Sequence, residues 1–104
     1  MFSHLFGKGS TELTTFAQLL AAGLTKRYSP ELDVQVGKRP SVARLTRIVE
    51  DTCSKAVAFK KEKNLGWIGR ARLANEFRWA LTELGYSKDF VEFATEAVTV
   101  YMHR

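Results

Sequence analysis

The segment between Gly66 and Gly85 carries two apolar stripes at helical spacing. At about 100° per residue, Trp67, Leu73, Ala74, Phe77, Ala80, Leu81 and Leu84 gather on one side. Ile68, Arg72, Asn75 and Trp79 line up on the other. A helix in a small globular protein needs one such stripe to face its core. A second stripe holding a Trp must be covered by another part of the chain or by a partner.

Three other segments show the same period. In residues 11–27, Leu13, Phe16, Ala17, Leu20 and Leu24 share a face, with Ser10 or Thr11 as cap and Glu12 in the first turn. In residues 41–64, Ser41 is the cap and Val42, Leu45, Val49, Cys53, Ala56 and Phe59 face inward. Arg47, Asp51 and Lys55 are spaced for i,i+4 pairing on the outer side. Lys60, Lys61 and Lys63 suit the negative end of that helix, which Asn64 or Gly66 ends. In residues 88–103, after a Ser87 cap, Phe90, Val91, Ala94, Ala97, Val98 and Tyr101 face inward.

These readings predict an all-α fold, a compact bundle of four helices at about 11–27, 41–64, 67–84 and 88–103. A long 28–40 connection, punctuated by Pro30, Gly37 and Pro40, links the first two. The chain of 104 residues fits one domain with a real core and no disulfides. Residues 1–9 form a flexible or packing arm, in which Phe2, Leu5 and Phe6 are suited to cap the core.

Charge is uneven along the chain. Residues 1–37 sum to zero, residues 38–82 to +7 and residues 83–104 to −2, for a net +5. A basic middle favours acidic partners without choosing among them. Lys38, Arg39, Arg44 and Arg47 span a loop and the following helix start, where backbone N–H groups also attract anions. That is the basis of one functional expectation, nonspecific nucleic-acid binding. A helix-turn-helix across Gly85 is disfavoured, because its second helix would bring Asp89, Glu92 and Glu96 to the phosphates.

Catalytic motifs are missing. His4 and His103 lie at opposite ends, and the lone Cys53 falls on an inner face. Neither zinc-ligand spacing nor H-E-x-x-H occurs. Gly7-Lys8-Gly9-Ser10-Thr11 lacks the glycine spacing of a phosphate loop. The sequence therefore predicts no enzyme, no cofactor and no metal. Absence of a long apolar run or a signal-like start, together with a single cysteine, predicts a cytoplasmic protein without a membrane span.

The leading expectation is a protein-interaction module that uses Ile68, Arg72, Asn75 and Trp79 to contact another protein or itself, as a homodimer. The competing expectation is that residues 28–40 or 1–6 fold over Trp79. Arg70 projects inward near the first turn of its helix, so its head must escape past the helix end or pair with a carboxylate.

Overall fold

Serine, asparagine and glycine set where the helices begin and end. The computed structural model describes residues 2–104, with side chains from Thr11 onward apart from Val36. Its elements are α1 (Phe2–Arg27), α2 (Pro30–Val34), a 3-10 turn (Val36–Lys38), α3 (Val42–Lys63), α4 (Trp67–Leu84) and α5 (Lys88–Met102), with no strand among the described residues. Ser41 and Ser87 sit in extended backbone, and each hydroxyl accepts a bond of 3.2 Å from an amide three residues on, that of Arg44 or Phe90. Asn64 ends α3 at φ 53° and Gly85 ends α4 at φ 101°. In that left-handed region asparagine is tolerated and glycine is at ease.

Two boundaries differ from the sequence reading. α1 begins at Phe2 and runs through Ser10 and Thr11, so neither residue caps it. Residues 2–9 belong to this helix, while the packing of the Phe2, Leu5 and Phe6 side chains expected of the arm lies outside the described residues, as does Met1. The 28–40 connection contains a short helix of its own. Ser29 caps it by accepting from the Leu32 amide at 3.3 Å, and Pro30 takes the first helical position, where its missing N–H costs nothing.

α1 packs against α3 and α4, and α5 packs against the same two helices. The order around the bundle is therefore α1, α3, α5, α4. α3 and α4 lie across the diagonal although only residues 64–66 separate them. The all-α bundle is as expected from periodicity; its neighbour order is not a simple up-and-down circuit. Alanines at the crossings, among them Ala17, Ala21, Ala56, Ala74 and Ala94, keep the helices close. Leu20, Leu24, Ile48, Val49, Leu73, Phe77, Leu81 and Val98 fill the space between. At the α1–α3 rim, the Phe16 and Phe59 rings stack with centroids 4.0 Å apart. Val42 and Leu84, expected inside, are 79% and 44% exposed. Each is the terminal residue of its helix, beyond the reach of the neighbouring helices.

Among the described residues, the Arg27–Asp51 and Lys63–Glu12 surface pairs each join two helices. Asp51 reaches Arg27 of α1 in place of the expected ladder with Arg47 and Lys55. Lys63 pairs with Glu12 at 3.1 Å. Lys60 donates to the Met102 carbonyl at 2.7 Å, capping the end of α5.

The connection is held by a buried carboxylate. Asp33 is 1% exposed. It accepts from the Tyr28 hydroxyl and from the Ser87 amide, both at 2.6 Å. The Arg39 guanidinium stands 3.5 Å from it, and Arg39 Nε donates to the Asp33 carbonyl at 2.7 Å. The Tyr86 hydroxyl donates to the Tyr28 carbonyl and lies 3.1 Å from the Thr25 hydroxyl. One carboxylate thus ties the end of α1, α2 and the start of α5 together. Burial, then the Asp33 hydrogen bond, pushes the Tyr28 hydroxyl well above its ordinary pKa, so it stays a donor.

We predict that Asp33→Ala lowers the unfolding free energy by about 3 kcal/mol, because it strands a buried hydroxyl, an amide and a cation. Denaturant titration beside the exposed control Ser54→Ala measures this. Equal midpoints for the two variants would show that the clasp carries no stability.

Candidate functional site: the outer face of α4

α4 buries Leu73, Ala74, Phe77, Ala80 and Leu81 against α1 and α5. Its opposite side faces away from both. Ile68 and Trp79 are each 56% exposed, and Arg72 and Asn75 are exposed between them. All four residues expected on the surplus stripe therefore share one open surface. Trp67 joins them, which corrects its expected inward placement: it is 70% exposed. At about 100° per residue it lies some 80° from the middle of the buried stripe, on the edge that leads to Ala71 rather than to the core.

Trp67, Ile68, Ala71, Arg72, Asn75 and Glu76 line an open hollow of about 310 Å³. Trp79 stands beyond its C-terminal end. Gly66 precedes the helix in extended backbone, without a side-chain cap. The backbone at Gly69 lies over Leu65, whose side chain would meet an added Cβ at 3.2 Å. Arg70 is half-buried on the inner edge, and its Nε has no hydrogen-bond partner. Of the two routes for its head, pairing with a carboxylate is not found among the described residues.

The 28–40 segment does not cover this face. The Asp33 clasp holds it against the 85–87 turn, where Pro30 comes within 3.8 Å of the position a Gly85 Cβ would take. That distribution of buried polar groups was not legible from periodicity. The available signal was an aspartate three residues after a Pro, close to a Tyr.

The basic residues are less concentrated than their spacing implied. Lys38, Arg44 and Arg47 are exposed, but Arg39 is half-buried and held by Asp33. Lys60 and Lys63 are engaged with Met102 and Glu12. Among the described residues, no group of three or more His, Cys, Asp or Glu side chains is placed to hold a metal ion. Cys53 is completely buried, and burial, with a smaller contribution from the Glu50 charge, pushes its thiol up to about 11. No family model, curated protein or solved structure matches this chain, so the site is read from its own geometry.

The thiol gives a pH dependence of known sign. A group whose folded pKa is raised contributes stability that is full below its unfolded value and is lost as pH rises through the folded value. For Cys53 that window runs from 9.0 to about 11. We predict a stability decline across it that is shallower in Cys53→Ala, measured by urea midpoints at stepped pH. Iodoacetamide at neutral pH should label the thiol only after unfolding.

Proposed function

We propose that this chain is a small protein-interaction module whose contact surface is the outer face of α4. The observation that supports this is the exposure of Ile68 and Trp79 on the side of α4 opposite its buried stripe, with Trp67 exposed on the flank beside Ala71. Trp and Arg anchors surrounded by smaller contacts are the usual composition of an interface centre. The three apolar side chains expose on the order of 400 Å². At about 25 cal/mol per Å² their burial yields roughly 10 kcal/mol gross. Association costs of about 4–15 kcal/mol offset much of that, so the polar margin at Arg72 and Asn75 has to contribute.

The proposed compartment is the cytoplasm, supported by a single cysteine held as a buried thiol. Among the described residues, no helix is long and apolar enough to cross a membrane. Nucleic-acid binding at Lys38, Arg39, Arg44 and Arg47 is the weaker reading, since Asp33 already neutralises the half-buried Arg39.

We predict that Ile68→Ser with Trp79→Ala abolishes partner capture in affinity purification while leaving the thermal midpoint within a few degrees of wild type. Undiminished capture by the double variant would remove α4 from the contact surface.

A further inference from the structure

The stripe on α4 is symmetric along its own axis. Ile68, Arg72, Asn75 and Trp79 follow at spacings of four, three and four, so 68 and 79 are equidistant from a midpoint that also lies between 72 and 75. Four-three spacing is that of a helix–helix seam. The hollow lies toward the N-terminal end of this stripe, and the Trp79 knob stands toward the C-terminal end. The knob stands about one turn beyond Asn75 and Glu76 at the C-terminal edge of the hollow and does not line it.

Resting on the interaction reading above, the geometry points to a second copy of this chain as the occupant, with two α4 helices crossing antiparallel about a two-fold axis beside residues 72 and 75. In that arrangement Trp79 of each copy meets Ile68 of the other and enters the N-terminal half of its hollow. This is the self-complementary contact that two-fold symmetry requires. Arg72 faces the neutral Asn75, and Glu76 lies within a turn of it. A parallel, in-register pair would instead oppose Arg72 to Arg72 and Asn75 to Asn75, and it would leave both hollows unfilled.

Size sets the strength. About 400 Å² of apolar surface per copy, with its polar margin, falls at the low end of specific interfaces. The pair is therefore a reversible dimer, and the net charge of +5 on each copy opposes it further at low salt.

The chain has two tryptophans, and both are exposed on α4, Trp79 on the stripe and Trp67 beside its hollow. Sedimentation equilibrium of the full chain from about 1 to about 300 μM brackets an interface of this size. The mean mass should rise from 11.8 kDa toward twice that value, with a parallel blue shift of tryptophan emission. Trp79→Ala should weaken the association at least about tenfold, with an unchanged circular dichroism melt as the folding control.

Orientation is read by two cysteine variants under mild oxidation. Copies of residue 75 stand about 5 Å apart along the antiparallel axis and copies of residue 82 about 25 Å apart. Asn75→Cys should form a covalent dimer and Thr82→Cys should not. Equal cross-linking of both overturns the antiparallel register. A mass that stays at 11.8 kDa throughout overturns self-pairing. In that case, capture of another protein that is lost in Trp79→Ala keeps the interaction reading; loss of both results removes the two together.

Discussion

The Asp33 carboxylate is the constraint on which the arrangement of this bundle turns. A buried charge is costly unless its lone pairs are filled and a cation stands near. Here Tyr28, Ser87 and Arg39 meet those needs from three different elements. The connection after α1 is thereby fixed at the start of α5, and the chain enters α3 beside α1 instead of wrapping the outside of α4. Closing one end of the bundle in this way leaves the far side of α4 uncovered.

The uncovered face follows from helix geometry as much as from chemistry. With the order α1, α3, α5, α4, each long helix has two long neighbours and one outward side. Among the described residues the other helices also expose apolar side chains there, Leu19 beside the Phe16–Phe59 pair on α1, Val42 at the start of α3, and Phe93 and Val100 on α5. On α4 that side and its flank carry two tryptophans and an isoleucine around an arginine and an asparagine. A single exposed apolar side chain is ordinary, whereas several on one helix beside a hollow support the proposed contact surface. The absence of any matching family places the whole weight of the functional reading on this surface.

How much was readable beforehand depends on the kind of interaction. Inner faces such as Leu13–Ala17–Leu20–Leu24 and Phe90–Val91–Ala94–Val98 were visible because burial repeats with the helical period. The Ser41 and Ser87 caps were visible because capping is local. Trp67, Leu84 and Val42 were misplaced because each lies at a helix end or on the edge of a stripe, where the period no longer decides what is covered. The pairing of Asp51 with Arg27 instead of its helix neighbours was hidden for a related reason: contacts 24 residues apart depend on how two helices are set side by side.

The sequence by itself determined the four long helices apart from the start of α1, most of their inner faces, the Ser41 and Ser87 caps and the existence of a surplus stripe on α4. Those are properties of spacing within 3–4 residues. Tertiary structure alone decided that the 28–40 segment leaves the stripe open. That depended on Asp33 drawing the 28–40 segment to Ser87, and on helices joined by a three-residue link sitting across the bundle from each other. Both are long-range choices, made by the satisfaction of a buried charge and by the packing of small residues, and neither leaves a periodic trace in the chain.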